Sequence, residues 1–372
     1  MIPMTTLRVE QKLSFNDFSE AEWNALSIDT PFNDHRFLLG LEQTGCLGPE
    51  TGWIQTPIGI YAGDELVGAA PLFLKTNSEG EFVYDFSWAE VYARYGRDYY
   101  PKVVIGAPFS PATGRRLLTR GPLQRELAGA FAEALRAIAT QYEASSVHVL
   151  FARAEEVSLL SEFGFFTRLG VQYHFRQPIP FVFEDYVGTL ASKKRTQVRK
   201  EWKSLRERGF VFRPLERPNQ EDIDTMFRFY ERTVEQYFPY TRRYLTRAFF
   251  DRLVQTMPEC IAWLFAEKDG VPVAGAMNLK GSDALYGRYW GTDVSEAFLH
   301  FGTCYYAGIE YCSVKNLPLF EPGAGGEHKR ARGFQPSLTY SSHWMREPAL
   351  HAMFSEYVGR ERDHIQRHLH DE

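Results

Sequence analysis

Ile58-Gly59-Ile60-Tyr61-Ala62-Gly63-Asp64-Glu65-Leu66-Val67-Gly68-Ala69-Ala70 has a counterpart about two hundred residues further on, Ala262-Trp263-Leu264-Phe265-Ala266-Glu267-Lys268-Asp269-Gly270-Val271-Pro272-Val273-Ala274-Gly275-Ala276. Each reads as a strand, a tight turn and a second strand. Gly-Asp and Asp-Gly supply the positive φ that a two-residue hairpin turn needs between β-rich runs. Each second strand then carries small residues, Gly68-Ala69-Ala70 and Ala274-Gly275-Ala276. Small residues inside a strand mark close approach by a ligand or another backbone. A hairpin repeated at this distance predicts a duplicated domain; two unrelated hairpins are the simpler alternative.

Working outward, both halves read as helices, a strand meander, a glycine-bearing loop, a helix and a further strand. Ser19 with Glu22 forms a capping-box pattern, and a second helix is expected over 34–43. The stretch 84–95 suits either helix or strand. Pro122 opens a helix with Leu123, Leu127, Phe131, Leu135 and Ile138 on one face. A domain boundary is expected at Gln177-Pro178-Ile179-Pro180, which gives domains at 1–178 and 179–372. The second begins with a basic helix over 186–208 that stops at Gly209. Further helices are expected over 221–237, 246–257, 299–315 and 348–368, with strands at 284–290, 318–321 and 337–344.

The 372 residues suit two domains of about 180 residues each. Hydrophobic content of 44% and charged content of 24% are those of a globular protein. A net charge of −5 provides no global attraction for nucleic acid or anionic membrane, so any phosphate must meet a local basic patch. The four cysteines lie far apart, with no CxxC pair and no zinc spacing. Scattered thiols, a polar Met1–Glu10 and the lack of a long apolar run give the expectation of a cytoplasmic protein without a membrane span or a metal.

Four constellations can carry chemistry, one of them the first-half loop Pro108-Phe109-Ser110-Pro111-Ala112-Thr113-Gly114-Arg115-Arg116, which could hold a pyrophosphate although no glycine array marks it. The helix Ser192-Lys193-Lys194-Arg195-Thr196-Gln197-Val198-Arg199-Lys200-Glu201-Trp202-Lys203 places Arg195, Arg199 and Lys203 on one face, where they could pair acceptor phosphates. The same face reads equally well as a solvated one. The loop Glu321-Pro322-Gly323-Ala324-Gly325-Gly326-Glu327-His328-Lys329-Arg330-Ala331-Arg332-Gly333-Phe334 combines backbone freedom with ionisable groups. Glu327 and His328, then Glu321, are its candidate general bases; Lys329 and Arg332 are candidate clamps on the donor. The strand end Tyr286-Gly287-Arg288-Tyr289-Trp290 offers Arg288, Tyr289 and Trp290 for donor binding. His300 and Gly302 follow at an expected helix N-terminus, where free N–H groups favour an anion.

Together these segments resemble the FemAB-like group of predicted N-acyltransferases. The resemblance covers nearly the whole chain and is densest at Val83-Tyr84-Asp85-Phe86-Ser87-Trp88-Ala89-Glu90, Tyr99-Tyr100-Pro101-Lys102, Gly287-Arg288-Tyr289-Trp290-Gly291, Phe298-Leu299-His300-Phe301 and Glu321–Phe334. It implies a mixed α/β fold of two tandem GNAT-type domains. The basic helix resembles the Lys/Arg-rich junction helix of Fem peptidyltransferases. Lys329 with Gly333-Phe334 resembles their Lys-x-x-Phe-Gly-type loop, with different spacing. The Gln/Arg-x-x-Gly-x-Gly/Ala signature of acyl-CoA binding is missing from both halves.

The resemblance implies acyl transfer from acyl-CoA or aminoacyl-tRNA, each a co-substrate and neither a tightly bound cofactor, to an amine such as a cell-wall precursor. A non-catalytic module that recognises a phosphorylated glycan or peptidoglycan precursor is the alternative, and a tRNA-binding accessory protein is a third.

Overall fold

The computed structural model describes residues 7–26, 28–238 and 242–370, with the side chains of Glu327 and residues 368–370 outside the described set. Its strands are β1 (Leu7–Gln11), β2 (Trp53–Gln55), β3 (Ile58–Ala62), β4 (Glu65–Ala70), β5 (Leu72–Lys75), β6 (Lys102–Ile105), β7 (Leu118–Thr119) and β8 (Ser146–Ala152). They continue with β9 (Phe166–Arg176), β10 (Phe210–Leu215), β11 (Trp263–Lys268), β12 (Val271–Lys280), β13 (Ala284–Thr292), β14 (Leu319–Glu321) and β15 (Gln335–Met345).

The chain divides into two compact units, one built from the chain up to Val171 together with the segment from Leu338 onward, the other from Gln172–Ser337. This division differs from the expected 1–178 and 179–372, because the C-terminal strand and helix fold with the first unit. The cause is apolar packing. Leu350, Phe354 and Val358 of the helix Pro348–His370 join Trp88, Tyr92 and Phe166 in one buried cluster, and the Trp88 and Phe354 rings lie 4.8 Å apart.

In the first unit β1, β3, β4 and β7 form an antiparallel sheet. Pro71, which has no N–H to donate, ends that ladder after Ala70, and β5 pairs instead with β2 and β6. β6 runs parallel to β8, and β15 lies antiparallel to β8 on its other side. The helix Arg125–Gln141 buries Leu127, Phe131, Leu135 and Ile138 against this layer, as its spacing predicts. The ambiguous stretch resolves as a helix, Phe86–Arg94.

In the second unit β10, β11, β12 and β13 form an antiparallel meander, followed by β14 parallel to β13 and the end of β9 antiparallel to β14. Both repeated hairpins form, β3–β4 and β11–β12, and Asp269 and Gly270 take the positive φ of 54° and 77° that their turn requires. Their small residues serve helix packing. A Cβ on Gly68 would lie 3.0 Å from Phe131, and one on Gly275 would lie 2.8 Å from Phe229. The expected basic helix over 186–208 is two helices, Phe183–Thr189 and Ser192–Glu207, with Leu190-Ala191 between them. β9 and β10 carry no expected strand in the sequence reading.

Candidate active site

The site of the second unit starts where a sheet opens. β13 and β14 pair through only three registers, Ala284↔Leu319, Leu285↔Phe320 and Tyr286↔Glu321. Pro322 follows and cannot donate, so the ladder stops while β13 runs on to Thr292. Gly323, Gly325 and Gly326 turn the chain away at φ of 92°, 67° and 90°, a region open to glycine at little cost. Across β13 the register with β12 steps from Met277↔Tyr289 to Asn278↔Gly287, which makes Arg288 the extra residue of a β-bulge. The opening holds a cavity of about 280 Å³ lined by Asn278, Arg288, Trp290, His300, Tyr305 and Lys329, among others.

The lining groups are held by identifiable contacts. Lys329 is 3% exposed, and its Nζ donates to the carbonyls of Gly323 at 2.6 Å and Ala324 at 3.1 Å. Burial pulls its pKa down to about 8. His328 also lines the cavity and sits at the solvent side, with Nε2 2.8 Å from the Tyr305 hydroxyl. Burial, then Lys329 and Arg332, lowers the His328 pKa, so the ring is neutral near pH 7 and, in the tautomer with a bare Nε2, accepts a hydrogen bond from the phenol. Tyr305 is 2% exposed and burial raises its pKa, which keeps it a donor. His300 packs edge-on to Trp290 at 4.5 Å, and burial lowers its pKa to about 4. Burial also raises the pKa of the Cys304 thiol, so it is not a poised nucleophile. Tyr289 lines the cavity too, its ring 4.9 Å from Tyr230 and beneath the Arg288 guanidinium.

Other candidates stand elsewhere. Glu321 ends β14 with 4% exposure, its carboxylate 4.0 Å from the His174 ring, and is not part of the cavity wall. Arg332 is committed to Glu201, a buried carboxylate on the basic helix, at 2.9 and 3.1 Å, and stacks over Phe301. Gly302 lies within a π-helical turn, Gly302–Tyr306, where a Cβ would meet Leu205 at 2.5 Å, so it serves packing. Glu327 opens the short helix Glu327–Arg332, and its side chain lies outside the described residues.

None of the three basic-stripe residues lines the cavity. Arg195 donates to the Gly188 and Leu190 carbonyls at the end of the preceding helix. Arg199 pairs with Glu184 at 2.7 Å and Lys203 with Glu207 at 3.5 Å, all four side chains exposed. The sequence reading missed Tyr305 and Asn278. The first is an aromatic at helical spacing, which reads as core, and the second sits in a strand whose bulge has no local signal.

The first unit has the corresponding opening, and its own chain fills it. β6 and β8 pair in parallel through Ile105↔Val149, and the loop that follows is buried from Gly106 to Ala112. Arg116, 0% exposed, donates to the Leu150 and Ala112 carbonyls at 2.7 and 2.6 Å. The Glu156 carboxylate accepts the Arg116 and Leu117 N–H groups at 2.8 and 2.7 Å.

Two such units, each a mixed sheet opened between parallel strands, are the tandem GNAT-type fold. The chain belongs to the FemAB-like family, whose model, described as peptidoglycan biosynthesis/recognition, matches residues 14–372. No curated protein matches by sequence. Among solved structures, FemX matches with 13% identity and a TM-score of 0.55, over 93% of this chain and 100% of that one. L-PGS from Bacillus licheniformis matches with 10% identity and a TM-score of 0.53, over 89% of this chain and 98% of that one. At these identities the likeness is one of fold. No helix among the described residues is long and apolar enough to cross a membrane, and no cluster of three metal-binding side chains occurs among them.

Proposed function

We propose that the protein is an N-acyltransferase whose reaction takes place in the opened strand pair of the second unit. The observation that carries this reading is the Tyr305–His328 hydrogen bond, which leads from a buried cavity wall to a ring at the solvent side. An acceptor amine attacks the acyl carbonyl and forms the new C–N bond. Its proton passes to the Tyr305 oxygen as the Tyr305 proton moves to His328 Nε2, and from there to bulk water. Main-chain N–H groups of the bulged strand hold the oxyanion, and its collapse breaks the C–S bond of a thioester or the C–O bond of a ribosyl ester. The leaving group takes up a proton from solvent. Transfer is direct, without an acyl-enzyme on Cys304.

Lys329, mostly an ammonium at pH 7, balances negative charge on the donor. Acyl-CoA and aminoacyl-tRNA are the two donor classes in this reading, and a cytoplasmic cell-wall precursor is the acceptor favoured by the family. Arg199 and Lys203, both on an exposed helix face, are free to exchange their surface partners for an acceptor phosphate, because such ion pairs contribute little. Arg195, Arg332 and Glu321 serve positioning. Thermal-shift titration with acetyl-CoA, free CoA and alanyl-tRNA at two salt concentrations tests the proposal, since a ligand of the native state raises the melting temperature. Stabilisation by the acylated form of one donor is expected; silence from all three contradicts it.

A further inference from the structure

Resting on that reading, we propose that Asn278 binds the reacting acyl carbonyl, its carboxamide N–H donating to the carbonyl oxygen. Side chains along β12 alternate between faces, and Ala276 and Asn278, two apart, both line the cavity. Asn278 is the polar member of that pair. It is 2% exposed, and its Nδ2 has no hydrogen-bond partner among the described residues. A buried amide donor without an acceptor is costly, so a ligand that supplies one is favoured there.

Local geometry keeps room for this side chain. Asn278 stands opposite Gly287, at the step where Arg288 bulges out of register. A Cβ on Gly287 would lie 3.3 Å from Asn278 Oδ1 and 3.1 Å from Pro322 Cα. Glycine at that position therefore lets the carboxamide lie beneath the crossing loop and face the opening. Two other donors of the cavity wall are already engaged, since Lys329 Nζ is held by two carbonyls and the Tyr305 hydroxyl by His328. A neutral N–H donor suits a neutral carbonyl in the ground state, and its hydrogen bond strengthens as charge develops on that oxygen.

The test compares analogues with and without the carbonyl oxygen. S-acetonyl-CoA keeps a ketone and S-propyl-CoA lacks it; 3′-alanylamido-adenosine and its reduced 3′-amine form the matching pair for a ribosyl ester. Calorimetric titration of the wild-type chain is expected to favour the carbonyl member of one pair by about tenfold. Asn278→Ala is expected to bind both members within about twofold, and to lower kcat by about a hundredfold with KM little changed. Asn278→Asp keeps the volume and removes the N–H, and is expected to behave likewise should Asn278→Ala fold poorly. Retained discrimination in the folded variants, or no discrimination by a wild-type chain that binds the analogues, overturns the role of Asn278 and leaves the transferase reading standing. Binding of none of the four to the wild-type chain overturns both.

Discussion

Lys329 and His328 are neighbours in sequence, yet burial gives them opposite working forms. The His328 pKa is lowered, so its neutral, proton-accepting form is already dominant below pH 7. The Lys329 pKa falls to about 8, so its charged form is lost as pH rises through that value. The rate therefore climbs with pH through a value below 6.5 and declines above about 8, which a kcat/KM profile will report as a bell. Lys329→Met is expected to remove the alkaline limb, and retention of that limb would assign it to another group. Tyr305→Phe breaks the only link between the acceptor and His328 in this scheme. A fall in kcat of about a hundredfold with melting temperature unchanged is expected in steady-state assays. The ionisable loop was legible in the sequence because glycines and charges cluster there. Tyr305 was not, because an aromatic at helical spacing reads as core until its hydroxyl is seen to meet a histidine.

At the scale of elements, the opening is kept by two arrangements. Glu201 and Arg332, 3% and 4% exposed, tie the basic helix to the loop that carries His328 and Lys329. The Tyr186 hydroxyl donates to the Arg332 carbonyl at 2.8 Å and fixes the same loop. Glu201→Ala leaves a guanidinium buried without its carboxylate, and a loss of about 3–5 kcal/mol is expected in denaturant unfolding. Glu201→Gln keeps the hydrogen-bond acceptor and is expected to lose less. A loss below about 1 kcal/mol for Glu201→Ala would show that the pair is not needed to hold the loop.

The second arrangement is the seat of the helix Gln220–Tyr237 on β13, where a Cβ on Gly291 would stand 1.7 Å from the Phe229 carbonyl oxygen. Backbone cannot yield as a side chain does, so Gly291→Ala is expected to cost at least about 3 kcal/mol in the same unfolding measurement. Helices, hairpins and turns were readable from periodicity and turn chemistry. The bulge at Arg288, the break at Leu190-Ala191 and the π turn were not, because each is set by packing between distant segments.

For the molecule as a whole, the duplication was readable and its asymmetry was not. Both units open a parallel strand pair, but Arg116 and its buried loop occupy the opening in the first, while the second retains a cavity. The loop from Pro108 to Arg116 gives no sign of this in its composition, since a buried arginine bonded to carbonyls looks the same in sequence as a phosphate-binding one. Similarly, the C-terminal segment carries no sequence mark that assigns it to the first unit; the aromatic cluster around Trp88 decides that. On the proposed function, one working site per chain is expected, in the second unit. The measurement that tests it most directly is isothermal titration of the donor that supports turnover, with the wild-type chain and with Lys329→Glu. One donor bound per chain, and none to the variant, is the expected result; two per chain, or undiminished binding to the variant, would contradict it.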